Sequence, residues 1–160
     1  MEIRHTTMDD LDEVMKIFDI ARETMRRSGN MNQWIKGYPS RSLITADIES
    51  NNSYVVTENG EIVAALAFIV GEDPSYREID GAWLNDEAYG VIHRIGTNGK
   101  VKGVIPFVVD YAFTRVSNIR IDTHADNRIM QHVLEKNGFV RCGTIIIEDG
   151  TERVAFQKVK

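Results

Sequence analysis

A short basic stretch between His93 and Asp110 carries the residues best suited to bind a phosphorylated ligand. Three glycines and two lysines lie within it: Gly96, Gly99, Lys100, Lys102 and Gly103. Glycine lets the backbone bend close to a ligand, and lysine adds positive charge beside it. Apolar residues at helical spacing begin at Val104, so the free N–H groups of a first helical turn would point back into the loop. The stretch therefore predicts a diphosphate site at the start of a helix.

A β-hairpin is the alternative for this stretch, because Asn98-Gly99 is a common two-residue hairpin turn. Pro106 counts against the hairpin, since proline cannot donate to a central ladder but is tolerated in the first turn of a helix. We therefore expect a strand from Tyr89 to Ile95, the turn, and a helix from Val104 to Arg115, with the hairpin as the open alternative.

The rest of the chain must position this turn, and its periodicity predicts alternating strands and helices. The expected helices, apart from the one after the turn, cover residues 8–27, 42–49 and 127–137, with an ordered loop at 28–40. The expected strands, apart from the one before the turn, cover residues 2–5, 54–57, 62–70, 118–123, 139–147 and 153–158, with a short one near Ile79. This order indicates an α/β (α+β) fold, a mixed sheet with helices on both faces.

Composition limits the class of protein. The 160 residues suffice for a single domain, 1–160, with its own core. The net charge of −5 argues against a nucleic acid or an anionic membrane as the partner. Cys142 is the only cysteine, so no disulfide within the chain is possible, and a thiol in an apolar strand is usually a packing residue. With no signal-peptide pattern and no transmembrane run, we expect a cytoplasmic protein.

Two downstream segments give the basic turn its context. Asn127 begins the predicted last helix, and Glu135-Lys136-Asn137-Gly138-Phe139 ends it. Together with the turn from Lys100 to Ile105, these segments resemble the GNAT superfamily of acyl-CoA-dependent N-acyltransferases. The resemblance covers nearly the whole chain in element order. It implies a mostly antiparallel central sheet of six to seven strands and acetyl-CoA as co-substrate.

The resemblance also implies where coenzyme A would bind. The diphosphate would lie against Lys100, Val101, Lys102, Gly103, Val104 and Ile105. Lys100 replaces the family's usual Arg or Gln, and Ile105 replaces its small last residue. The pantetheine arm would pair with the backbone of Arg94, Ile95 and Gly96, and would contact Asn127 and Met130. The Ile95 N–H would polarise the thioester carbonyl as the oxyanion forms.

Proton transfer is where the sequence departs most from the family. Leu134 stands where many members carry a tyrosine that protonates the leaving thiolate, and leucine cannot donate a proton. The family often places a general base on the strand entering the turn, which makes His93 and Tyr89 candidates, with His93 favoured. His93 as a structural residue with one hydrogen bond is the alternative. His132 faces away from Asn127 on the helix and is expected at the surface.

The remaining candidates concern the acceptor and metals. Gln33, Trp34, Tyr38 and Trp83 could wall an acceptor pocket, although aromatic residues in such places also serve as core plugs. The segment from Asp122 to Asp126 alternates oxygen and nitrogen ligands, but it lacks the glycine and the bidentate glutamate of a calcium loop. We therefore interpret it as a helix-capping turn and expect no metal.

These observations predict an N-acetyltransferase that transfers an acetyl group from acetyl-CoA to a primary amine on a small molecule or peptide. One alternative is an acyl-CoA-binding sensor or interaction module without catalysis. Another is a domain in which the turn is a hairpin and binds something unrelated. A homodimer formed through sheet edges is compatible with the sequence.

Overall fold

A single eight-stranded sheet organises the structure, a computed structural model that describes residues 1–160. The strands are β1 Glu2–His5, β2 Ser53–Glu58, β3 Glu61–Val70, β4 Asp80–Gly81, β5 Gly90–Thr97, β6 Asn118–Thr123, β7 Val140–Ile146 and β8 Glu152–Val159. Their order is β1-β2-β3-β5-β6-β8-β7-β4, and only β5 and β6 are parallel. The predicted fold class is confirmed, and the eighth strand is the two-residue β4, next to the short strand expected at Ile79.

Four helices cover the two faces of the sheet: α1 Leu11–Arg27, α2 Arg41–Glu49, α3 Val104–Ala112 and α4 Arg128–Lys136. Helices α3 and α4 pack on one face, over the largest apolar cluster of the protein. Helices α1 and α2 pack on the other face, over a second cluster that includes Phe18 and Trp34. A third cluster around Tyr76 lies beneath the segment between β3 and β5. No helix is long and apolar enough to cross a membrane.

Local sequence signals explain most element boundaries. Asn59 and Gly60 both have positive φ angles, 52° and 81°, as a tight turn between β2 and β3 requires. The Ser40 hydroxyl accepts a hydrogen bond from the Leu43 N–H and caps α2. The Asn127 side chain caps α4 through the Met130 N–H, and Gly138 ends that helix with a φ of 86°.

The strand–turn–helix prediction for the basic stretch is confirmed, and the hairpin alternative is wrong. Pro106 lies in the first turn of α3, as its missing N–H allows. The predicted end of α3 at Arg115 is wrong, because the helix stops at Ala112. After Ala112 the chain tightens into turns in which the Thr114 N–H and hydroxyl both donate to the Tyr111 carbonyl.

Two irregularities of β5 create the site. The strand pairs with β6 only at Gly90 and Val91, so its later residues have no partner on that side. Its register with β3 shifts between Ala65 and Ala67, which indicates a β-bulge. Arg94 has a φ of 51° there and reaches Asp47 on α2, while His93 reaches Asp73 in the segment between β3 and β5.

Candidate active site

A cleft of about 680 Å3 opens where β5 and β6 separate. Its floor is formed by β5 and β6 residues, among them His93, Ile95 and Asp122. Its walls come from the loop between α1 and α2, the start of α4 and the turn between β7 and β8. Two neighbouring strands, two loops and the start of α4 therefore meet at one point, the arrangement expected of a substrate site.

His93 lies on the cleft floor with its orientation fixed by Asp73. His93 Nε2 is 2.9 Å from Asp73 Oδ2, and the other Asp73 oxygen accepts the Ser75 N–H at 2.8 Å. The His93 hydrogen bond, helped by Ser75, holds the pKa of the Asp73 carboxyl below its usual range. Because an ionised carboxylate only accepts, Nε2 carries the proton of this hydrogen bond, and in the neutral imidazole the lone pair lies on Nδ1. No group of the chain hydrogen-bonds to Nδ1, so it is available to a ligand.

Asp122 faces the same cleft from β6, next to His93 across the opening. The Tyr76 hydroxyl donates to Asp122 Oδ2 at 2.6 Å, and Tyr76 itself is only 1 % exposed. Burial raises the pKa of the Asp122 carboxyl, and the nearby His93, the Tyr76 hydrogen bond and the charge of Arg153 act against that rise. Burial also raises the pKa of Tyr76 well above its usual value, which keeps its hydroxyl a donor. Two aspartate side chains, Asp73 and Asp122, therefore line the cleft near the histidine.

Arg94 ties the bulge to α2. Its guanidinium forms a two-pronged pair with Asp47, with Nε–Oδ2 and Nη2–Oδ1 distances of 2.9 Å, and Nη1 donates to the Tyr38 hydroxyl at 3.3 Å. Asp47 is buried, and the pair is largely shielded from water. This pair holds Arg94 in its positive-φ conformation and places Tyr38 at the cleft.

The basic turn presents a run of free backbone donors. No N–H from Val101 through Ile105 donates a hydrogen bond within the chain. Gly103 has a φ of 80°, which lets the chain turn sharply into α3. Lys102 is exposed and has no ion pair, whereas Lys100 pairs with Glu61 at 2.7 Å. Consecutive N–H groups beside a helix start and a free lysine are suited to a diphosphate.

Asn127 is committed to contacts within the chain. Its Oδ1 accepts the Met130 N–H, and its Nδ2 donates to Gln33 Oε1 at 3.0 Å. Gln33 Oε1 also accepts from Asn30 Nδ2 at 2.8 Å, and Gln33 Nε2 is 3.4 Å from Thr123 Oγ1. This network fastens the loop between α1 and α2 to the start of α4 and closes one end of the cleft.

The other predicted residues separate into two groups. Gln33, Trp34, Tyr38, Arg94, Ile95, Asn127 and Met130 line the cleft with His93. Trp83 and Tyr89 lie outside it, because their rings enclose the Arg120 guanidinium, whose central carbon is 4.1 Å from each ring centre. The Trp83 N–H donates to the Tyr76 carbonyl, and the Tyr89 hydroxyl accepts the Asp73 N–H. Both residues therefore support the Asp73–Tyr76 segment from behind.

Other sequence-based expectations concern residues near this site. Gly96 lies at the far end of β5, where its α-carbon faces Phe18 and Ala21. Val104 is buried, and Val101 and Ile105 pack against the large core, so the bulk of Ile105 points away from the free N–H groups. His132 is exposed, as predicted, and Leu134 is fully buried.

No group of His, Cys, Asp and Glu side chains is arranged to hold a metal ion.

Asp73 and Arg153 are not among the site residues predicted from the sequence, and Asp122 is considered there only as a metal ligand. Asp73 lies in an irregular segment, where nothing local indicates its long-range partner. Asp122 and Arg153 each place a charge within a largely buried strand, and such a charge is a usable signal of function.

Comparison with known structures shows which proteins share the fold of this chain. The chain is 31 % identical to an acetyltransferase of the GNAT family from Streptococcus agalactiae, covering 99 % of this chain and 95 % of that one with a TM-score of 0.90. A ribosomal-protein-alanine N-acetyltransferase from Brucella melitensis shares the fold at 17 % identity, full coverage of both chains and a TM-score of 0.67. An aminoglycoside acetyltransferase in complex with coenzyme A and kanamycin shares it at 18 % identity, 99 % and 94 % coverage and a TM-score of 0.67. No family model matches the sequence, and a search of curated proteins gives no match.

Proposed function

The chain belongs to the GNAT family of acetyltransferases, and from this membership we propose that it transfers an acetyl group from acetyl-CoA to the primary amine of an acceptor. The observation that carries the proposal is the opening between β5 and β6, which leaves the edge of β5 unpaired beside His93. An extended pantetheine arm can add to such an edge as a strand would, and the cleft beyond it leaves room for an acceptor.

Acetyl-CoA would be held along the second half of β5 and at the turn that follows the strand. The N–H groups of residues 101–105 and the Lys102 ammonium would bind the diphosphate, which matches the run of free donors at the turn. The pantetheine arm would lie along Arg94, Ile95 and Gly96, with Met130 packed against it. Asn127 keeps one amide N–H beyond its bond to Gln33, and that N–H would be its contribution to the arm.

His93 would act as the general base. The acceptor ammonium gives one proton to His93 Nδ1, and the neutral amine then attacks the thioester carbonyl. The C–N bond forms, the C–S bond breaks, and the second proton of the acceptor nitrogen is released to water. Asp73 would fix the reactive tautomer and stabilise the imidazolium. The Ile95 N–H would stabilise the oxyanion. Leu134 has no proton to give, so the departing thiolate takes its proton from the imidazolium or from water.

A second candidate is an acyl-CoA sensor that binds the thioester without transferring the acetyl group. The observation in its favour is Leu134, fully buried where many family members carry the acidic tyrosine. The His93–Asp73 pair favours the enzyme, because a sensor has no need of an oriented base.

One experiment separates the two functions. The protein is incubated with acetyl-CoA and a panel of primary amines, small molecules and short peptides, while thiol release is followed and thermal stability is recorded with coenzyme A alone. We expect a thermal shift with coenzyme A and thiol release that depends on an amine. A shift without amine-dependent release would select the sensor, and no shift at saturating coenzyme A would exclude both functions.

A further inference from the structure

Three strands place three chemically different groups side by side in the cleft. His93 lies on β5, Asp122 on β6 and Arg153 on β8, and these strands are neighbours in the sheet. Asp122 pairs in register with Ala155, two residues from Arg153, so the two side chains emerge on the same face. All three line the cleft, in the order base, carboxylate, guanidinium.

Arg153 is a buried cation that forms no salt bridge within the chain, although Asp122 and Asp149 lie close enough for its charge to act on them. The residue is 9 % exposed, and none of the ion pairs in the chain involves it. Its Nη1 donates to Thr151 Oγ1 at 2.9 Å and to the Glu152 carbonyl at 2.7 Å. Its Nε and Nη2 donate to no group of the chain, and both remain accessible from the cleft.

The other two well-shielded arginines of this region are compensated, which makes Arg153 distinctive. Arg94 is paired with Asp47, and Arg120 is enclosed by two aromatic rings. A guanidinium withdrawn from water is costly unless an anion or a ring faces it. The two free nitrogens of Arg153 are therefore placed to receive a carboxylate from outside the chain, in the planar two-pronged geometry that arginine favours.

Asp122 and His93, the other two of these three groups, are suited to bind an ammonium group. Asp122 Oδ1 has no hydrogen-bond partner in the chain, since Tyr76 occupies only Oδ2. His93 Nδ1 is likewise free. An amine that arrives protonated can therefore bind to Asp122 and lose its proton to His93 before it attacks.

We propose that the acceptor is a free amino acid, whose carboxylate binds Arg153 while its ammonium group binds Asp122 beside His93. This proposal rests on the proposed acetyl transfer and names the acceptor class for it. A purely cationic amine would leave Arg153 unpaired in the cleft, and it would bring a second positive charge near that guanidinium. A free amino acid supplies an anion for Arg153 and a cation for Asp122 in one molecule.

The test compares each of several L-amino acids with its C-terminal amide, which keeps the amine and removes the anionic carboxylate. With acetyl-CoA as donor, kcat/KM is measured for both acceptors in the wild type, Arg153→Gln, Arg153→Lys and the control Arg141→Gln, which changes an exposed arginine outside the cleft. We expect the wild type and the control to prefer the free acids by about tenfold or more. Arg153→Gln brings the acid-to-amide ratio close to one, and Arg153→Lys retains part of the preference.

Two results would overturn the proposal: amides accepted as well as acids by the wild type, or an acid-to-amide ratio that Arg153→Gln leaves unchanged. If Arg153→Gln does not fold, the ratio in Arg153→Lys decides. Thermal shifts with amino acid or amide in the presence of coenzyme A give a binding readout that needs no turnover. Absence of thiol release with every amine would refute the acetyl transfer, whereas release with amides alone would refute only the amino-acid acceptor.

Discussion

Asp73 lies twenty residues before His93 in the chain, yet its Oδ2 is 2.9 Å from His93 Nε2. The contact joins an irregular segment after β3 to the bulged part of β5, and Tyr89 supports it by accepting the Asp73 N–H. His93 lines the cleft, and the contact with Asp73 leaves its Nδ1 without a partner in the chain.

Replacing His93 with glutamine should lower kcat for acetyl transfer about 100-fold or more, because a positioned base typically contributes that much. Glutamine is of similar size and keeps a donor for Asp73, so thermal stability should change little. The measurement is amine-dependent thiol release, with the exposed His132→Gln as the matched control. Equal rates for the two variants would remove His93 from the mechanism.

Asp73→Asn should reduce kcat with little change in KM, since the amide no longer fixes the histidine tautomer. A purely structural Asp73 would alter stability without this selective loss of kcat, so thiol release at varied acceptor concentration is measured together with thermal stability. Glu72→Gln, an exposed neighbour, is the control.

Lys102→Glu should weaken coenzyme A binding about tenfold by reversing a charge beside the diphosphate. Lys102 has no ion pair, so the substitution removes no contact within the chain. Titration calorimetry with coenzyme A measures the effect, and the control Lys136→Glu reverses an exposed lysine at the end of α4 that also has no ion pair. The weakening should diminish at high salt, and an unchanged affinity in Lys102→Glu would count against the diphosphate site.

Asp47→Asn should lower the free energy of unfolding by about 3 kcal/mol, because it leaves the shielded Arg94 guanidinium without its counter-charge. Urea unfolding measures the loss, with the exposed Glu49→Gln on the same helix as control. If the Michaelis constant for the acceptor also rises, the Arg94–Asp47 pair contributes to the placement of Tyr38 in the cleft.

Asp10 gives a pH-dependent contribution to stability. The hydrogen bond from Arg4, together with the Thr7 N–H, lowers the pKa of Asp10 from 3.8 to about 2. A lowered pKa in the folded state stabilises the fold above the unfolded-state pKa, so the contribution is complete near neutral pH and is lost as pH falls from about 4 to about 2. We expect Asp10→Asn to cost about 1 kcal/mol at pH 7, since Arg4 is 48 % exposed and solvent screens the pair. The difference from wild type should shrink toward zero in urea titrations below pH 3; a constant difference would contradict the assignment.

The sequence by itself determined the order of the elements and the position of the basic turn. Those features depend on neighbouring residues: the Asn59-Gly60 turn, the caps at Ser40 and Asn127, and the helical spacing that follows Gly103. Each rests on backbone conformations and periodicities that are set within a few residues, and such signals are readable without the fold.

Only the tertiary structure decided which polar side chains meet. Asp73, Asp122 and Arg153 come from separate segments, and sheet order brings them to His93. The same long-range packing places Trp83 and Tyr89 outside the cleft, where their rings lie on either side of the buried Arg120 guanidinium. Strand pairing across the sheet is set by contacts between residues far apart in the chain. No local pattern in the sequence could therefore show that β5, β6 and β8 place a base, a carboxylate and an unpaired guanidinium side by side on one face of the sheet.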